Sequence, residues 1–108
     1  MIKVRSEALE SAEISWFAPI CNGDDRYLSY HDNTFKSTWL NTSKIVRTAD
    51  MYGFRNVLCP SSYQVGQDTW TFASAMSTQT VKINLLPAIR CGEVHPPMLG
   101  RALSLIHI

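Results

Sequence analysis

The stretch IVRTADMYGFRNVLCPSSYQVGQDTW, residues 45–70, holds the end of a helix, a complete strand and the start of a second helix. Gly53 followed by Phe54 predicts a helix end, because glycine readily adopts the left-handed conformation and the next apolar side chain can fold back on the last turn. Apolar residues recur upstream at helical spacing, so the helix that ends here is expected near residues 36–52. The apolar run that follows at once predicts a strand, closed by Pro60.

Outward from this stretch, strands and helices alternate. Short apolar runs predict strands at residues 13–20, 56–60 and 81–89. Further helices are predicted at residues 69–78, with Asp68 as the N-cap, and from Pro96 onward. The turn-rich residues after the first strand predict a loop. Side chains expected to face the core from the helices are Trp39, Met51, Trp70 and Met76.

This alternation predicts an α/β fold. The strands are apolar on both sides, which is typical of a parallel sheet covered by helices. A doubly wound sheet and a (β/α)8 barrel share the pattern, but no G-x-G-x-x-G or Walker sequence follows any strand. A barrel needs about 250 residues. The chain has 108, so it is predicted to contain the first three βα units of a truncated (β/α)8 TIM barrel.

The composition argues against several classes of function. Hydrophobic residues make up 45% and charged residues 18%, which is typical of a globular domain. A formal net charge of +1, without a basic run, gives no basis for binding nucleic acid or a membrane surface. No segment has the pattern of a secretory signal or of a bilayer-spanning helix. The three cysteines form no zinc pattern, so reduced thiols in a cytoplasmic protein, without a metal, are expected.

Several short motifs occur in order along residues 14–102. They are Trp16-Phe17-x-Pro19, Ala49-Asp50-x-x-Gly53-Phe54, Val57-Leu58-x-Pro60, Asp68 with Trp70, Arg90 at the end of the third strand, and Pro96 or Pro97 with Arg101 and Ala102. In these motifs and their spacing the chain resembles the bacterial-luciferase-like flavin monooxygenases. The likeness is greatest to the alkanesulfonate monooxygenase branch, which often carries a His near the position of Cys21.

The resemblance implies a barrel that binds reduced FMN, supplied by a separate flavin reductase. Such an enzyme uses O2 to oxidise a small organic substrate, with an alkanesulfonate as the candidate here. Relatives of this kind often form homo-oligomers. The active site of a barrel lies at the carboxyl ends of its strands. The catalytic acid or base usually comes later in the chain, so no catalytic residue is assigned.

The expected site residues follow the three predicted strands. The resemblance places flavin contacts at Ser61, Ser62 and Ala88, and substrate contacts at Cys21, Tyr63 and Arg90. Each has a plainer interpretation: turn hydroxyls for the serines, packing for a small thiol, and solvation for the arginine. Cys59 lies inside a strand and is expected to pack in the core.

The ends of the chain are interpreted separately from residues 13–102, the partial barrel domain. Residues 1–12 are treated as an N-terminal extension. Residues 103–108, LSLIHI, are also the translation of CTG-TCT-CTT-ATA-CAC-ATC, the transposase end sequence of a common DNA library preparation. We therefore expect them to be translated adapter, with an accidental amphipathic tail as the alternative.

Two other functions fit the same pattern of elements. The chain could be a small, complete α/β domain that acts as a non-enzymatic binding module. It could also belong to a barrel enzyme that uses no flavin. A sharp cooperative melt of a monomer would favour the module, and failure of the full-length protein to bind flavin would favour the second alternative.

Overall fold

The computed structural model describes residues 13–21, 24–27, 30–32, 37–63, 66–90 and 92–107, and gives the backbone alone at 24–27, 30–32 and 105–107. In this part of the chain the strands are β1 (Ser15–Phe17), β2 (Asp24–Tyr27), β3 (Tyr30–Asp32), β4 (Asn56–Cys59) and β5 (Asn84–Pro87). The helices are α1 (Trp39–Met51), α2 (Thr69–Ser77) and α3 (Pro96–His107). None of the described helices is both long enough and apolar enough to cross a membrane.

The three predicted strands form one parallel sheet in the order β1-β4-β5. A helix follows each of them along the chain, with β2 and β3 lying between β1 and α1, so the predicted α/β alternation of these strands with helices is confirmed. The backbone bonds continue past the strand ends: Ala18 N–H donates to the Leu58 carbonyl at 2.9 Å, and Ala88 N–H donates to the Cys59 carbonyl at 2.8 Å. The carboxyl ends of all three strands therefore lie at one edge of the sheet.

The end of α1 and the start of α2 lie where the sequence predicts them, whereas α1 begins at Trp39 rather than near residue 36. Gly53 has a φ of +79°, and Phe54 N–H donates to the Ala49 carbonyl at 3.1 Å, the long bond of a Schellman motif. The Asp68 carboxylate accepts the Thr71 N–H at 2.8 Å and caps α2. These contacts are local in sequence, which is why sequence signals suffice to predict them.

The core lies between one face of the sheet and helices α1 and α2. Its fully or nearly fully buried members are Ala18, Ile20, Val46, Ala49, Val57, Cys59, Phe72, Ala73, Met76 and Ile83. The core positions of Met76 and Cys59 are thus confirmed. The prediction for Met51 was wrong: its side chain is 76% exposed, because it ends α1 on the side away from the sheet.

The loop predicted after β1 was also wrong in part. β2 and β3 pair antiparallel, with Asp24 opposite Asp32 and Tyr27 opposite Tyr30. These strands are short and mostly polar, so they carry no apolar alternation that could indicate a strand. The backbone groups of β2 and β3 are satisfied by pairing of the two strands with each other, and the pattern of apolar residues in the sequence does not predict that pairing.

Candidate functional site at the strand ends

Two predicted site residues, Ser61 and Tyr63, contact the guanidinium of a third, Arg90, at the carboxyl edge of the sheet. Arg90 Nη2 donates to the Ser61 carbonyl at 3.2 Å. The Arg90 Cζ lies 3.4 Å from the centre of the Tyr63 ring, in cation–π contact. The positive charge of Arg90 also acts on the Cys21 thiol. Loops that follow three different strands are thereby brought together on Arg90.

The second terminal nitrogen of Arg90 has no hydrogen bond. Nη1 is buried, and among the described residues nothing accepts a hydrogen bond from it. Glu93 Oε1 lies 3.7 Å away, which makes an ion pair but exceeds hydrogen-bond distance. A buried cationic donor without an acceptor is a fitting partner for an anionic oxygen of a ligand.

The two described thiols differ from each other. Burial raises the pKa of Cys21, and the Arg90 guanidinium partly opposes that rise. Burial raises the pKa of Cys59 to about 11. Both side chains are therefore neutral thiols near pH 7. Cys21 is half-buried and can contact a ligand, whereas Cys59 is enclosed in the core.

Ser62 and Ala88 lie at the same edge of the sheet, after β4 and β5 respectively. Ala88 is half-buried and carries only a methyl side chain. Ser61 is half-buried and Ser62 is exposed. The described residues contain no group of three or more His, Cys, Asp or Glu that could hold a metal ion.

Gln67 and Glu93 belong to this edge and were missed in the sequence. Gln67 N–H donates to the Ile20 carbonyl at 2.9 Å, and its Nε2 donates to the Ser37 carbonyl at 2.7 Å and to Thr42 Oγ1 at 2.9 Å. Gln67 thus ties the loop after β4 to the loop after β1 and to the start of α1. No local signal indicates the role of Gln67, because every partner of Gln67 is distant in sequence.

Three cavities in the described part of the chain lie away from this cluster. One of about 380 Å³ lies along β5, one of about 450 Å³ lies between Trp16 and α1, and one of about 310 Å³ lies beside the start of α2. None of the three is lined by Arg90, Tyr63 or Cys21.

Comparison with known proteins gives two informative relatives. The chain is 46% identical over 104 residues to the sulfoquinovose monooxygenase of Agrobacterium fabrum. It is 42% identical over 97 residues to the sulfoquinovose monooxygenase of Novosphingobium aromaticivorans. The matches cover 96% and 90% of this chain but only 27% of each relative. No protein-family model matches the chain.

The chain is therefore homologous to part of these monooxygenases and spans about a quarter of their length. This supports the monooxygenase class that the sequence motifs implied. The substrate in the relatives' name is sulfoquinovose.

Proposed function

We propose that the chain is the N-terminal part of a flavin-dependent monooxygenase that acts on sulfoquinovose or a closely related sulfonate. The observation that carries the proposal is the 46% identity to a sulfoquinovose monooxygenase over almost the whole chain. The order of the luciferase-like motifs along residues 14–102 supports the N-terminal position and the (β/α)8 fold.

The uncovered face of the sheet supports a larger barrel. Phe17, Leu58 and Leu86 lie side by side across β1, β4 and β5, and their side chains are 51%, 40% and 44% exposed. In a closed barrel, side chains on this face point inward and pack in layers against those of other strands. We infer that further strands of the same protein cover this row.

The Arg90 cluster is proposed to bind the substrate. A sulfonate carries a full negative charge near pH 7, and a guanidinium matches its oxygens in charge and geometry. Tyr63 and Ser61 hold Arg90 in place, and the charge of Arg90 acts on the neutral Cys21 thiol. In this proposal Cys21, Tyr63 and Arg90 orient the substrate at the carboxyl ends of the strands.

The residues at the same edge fit a flavin. Ala88 presents little bulk, and the hydroxyls of Ser61 and Ser62 are of a kind that can hydrogen-bond a ring or its side chain. We propose that these three residues contact FMN. When bound in reduced form, the flavin would supply the electrons that activate O2.

The cellular setting belongs to the same proposal. Reduced FMN would come from a separate reductase in the cytoplasm, and the full-length protein would form a homo-oligomer.

The test is an assay of the full-length protein that contains this chain. With FMN, a flavin reductase, NADH and O2, sulfoquinovose should be consumed and sulfite released in equal amounts. Omission of the reductase or of O2 should stop the release. A full-length protein that binds FMN but releases no sulfite would contradict the proposed substrate, and one that binds no flavin would contradict the proposed class.

A further inference from the structure

Arg90 is held so that one terminal nitrogen of its guanidinium, Nη1, has no hydrogen-bond acceptor among the described residues. The Ser61 carbonyl accepts the Nη2 hydrogen bond, and the Tyr63 ring covers the face of the group. Neither partner carries a negative charge, so the charge of Arg90 is not cancelled by them. Because the guanidinium is already fixed on two sides, binding of a ligand at Nη1 costs little conformational entropy of the Arg90 side chain.

Glu93 is the one described residue that pairs with this charge through an ion pair. Its carboxylate lies 3.7 Å from Nη1, too far to satisfy the buried N–H. The Glu93 side chain is 49% exposed, whereas that of Arg90 is 22% exposed. Gly92, the residue before it, has a φ of +98°, so Glu93 lies on a turn rather than on a strand or helix. Half-exposed ion pairs of this kind contribute little and exchange readily with solvent.

We propose that Glu93 is a placeholder for the anionic group of the substrate. In the free protein its carboxylate compensates the charge of Arg90 from a distance. When a sulfonate arrives, its oxygens accept the Nη1 hydrogen bond and the Glu93 side chain moves into solvent. The identity of the anion as the substrate's sulfonate rests on the proposed function, whereas binding of a small anion at Arg90 does not.

Removal of the Glu93 charge should therefore strengthen binding. We expect Glu93→Gln in the full-length protein to tighten methanesulfonate binding by about two- to fivefold, the range that a weak competing ion pair allows. Arg90→Met should abolish this binding, and Glu93→Gln should have no effect in the Arg90→Met background. Isothermal titration calorimetry measures the methanesulfonate affinity of the wild type, the two single variants and the double variant. Arg90→Lys keeps the charge but not the planar fork, so it should bind methanesulfonate more weakly than the wild type.

A matched control is present at the opposite end of the sheet. Glu13 pairs with Arg55 at 4.0 Å, and both side chains are substantially exposed. Glu13→Gln removes the same charge as Glu93→Gln but lies at the amino ends of the strands. It should leave methanesulfonate affinity unchanged, and an equal gain in this variant would overturn the proposal by showing a general charge effect.

Further outcomes distinguish the substrate's sulfonate from the flavin phosphate as the bound anion, and the placeholder role of Glu93 from the proposed function. In turnover with sulfoquinovose, Glu93→Gln should lower KM and leave kcat unchanged; unchanged or weaker binding of both sulfonates would overturn the placeholder role. Loss of FMN affinity in Arg90→Met, with methanesulfonate affinity retained, would overturn it as well, because the flavin phosphate would then be the anion. Arg90-dependent methanesulfonate binding without turnover would sustain the placeholder role and refute the proposed function.

Discussion

At the scale of single residues, one carboxylate decides where the third parallel strand begins. Asp50 accepts the backbone N–H groups of Val81, Lys82 and Ile83 at 2.9, 2.9 and 2.7 Å. Those groups are thereby withdrawn from the sheet, and β5 starts at Asn84 rather than at residue 81 as the sequence predicts. Burial acts to raise the pKa of Asp50, but the three N–H donors and the charge of Lys82 outweigh it and hold the pKa below its usual value.

Asp50→Asn should lower the free energy of unfolding by about 1–3 kcal/mol, because the amide cannot accept three hydrogen bonds as a carboxylate does. The contribution of Asp50 has a defined pH dependence. Its folded-state pKa lies below the unfolded value of 3.8. The contribution is therefore complete above that value and is lost as the pH falls through the folded-state pKa. Urea denaturation of the full-length protein between pH 7 and pH 3 measures both effects.

The control for this substitution is Asp68→Asn. Asp68 also accepts a backbone N–H, but asparagine is an equally good N-cap, so little change in stability is expected. Equal losses in the two variants would contradict a special role for Asp50.

The two described cysteines make a second residue-scale prediction. At pH 8, iodoacetamide should alkylate Cys21 faster than Cys59 in the folded protein, because Cys59 is fully buried with a pKa of about 11. Peptide mass spectrometry resolves the two sites. In urea the rates should converge, and similar rates without urea would show that the core around Cys59 opens readily.

At the scale of elements, the end of α1 depends on one left-handed residue. A Cβ at Gly53 would meet no atom within 4 Å, so space does not require glycine there. The φ of +79° does require glycine, because residues with a Cβ are strained in the left-handed region. The Schellman motif also places Phe54 beside Trp16, with ring centres 5.0 Å apart, which joins the helix end to β1.

Gly53→Ala should therefore destabilise the protein by about 1 kcal/mol. Gly100→Ala is the matched control, because Gly100 lies within α3 and a Cβ there also meets no atom within 4 Å. That substitution should stabilise by about 0.5–1 kcal/mol through helix propensity. Thermal unfolding of the full-length protein, followed by circular dichroism, measures the two shifts, and shifts of the same sign would contradict the backbone argument.

At the scale of the whole molecule, one face of the sheet is packed and the other is open. Helices α1 and α2 cover the face that carries Val57 and Cys59. The opposite face carries the apolar row of Phe17, Leu58 and Leu86 without a covering layer among the described residues. Such a row costs free energy in water, so its presence favours a role as one segment of a larger sheet.

The 108-residue chain alone should bind the dye ANS and melt without a sharp transition. The full-length protein should not bind ANS and should melt in one sharp transition. Leu86→Gln should lower ANS binding by the chain alone. In the full-length protein it should cost about 2 kcal/mol or more, because the amide would be buried without a partner. A cooperative melt of a monomeric 108-residue chain would favour the small binding module instead.

Val81→Gln provides the control for this prediction. Its side chain is 90% exposed and lies in the loop before β5, outside the row. The substitution should change neither ANS binding nor stability, so an effect equal to that of Leu86→Gln would point to general surface hydrophobicity.

The sequence by itself determined the order of the parallel strands and helices, the caps at Gly53 and Asp68, and the core positions of Cys59 and Met76. These features depend on periodicity and on contacts within a few residues, which the order of amino acids records directly. Only the tertiary structure decided the β2–β3 hairpin, the start of β5, the exposure of Met51 and the contacts around Arg90. Arg90 meets the Ser61 carbonyl across 29 residues of chain. Such a contact depends on how strands pair and where their ends fall, and no local pattern carries that information.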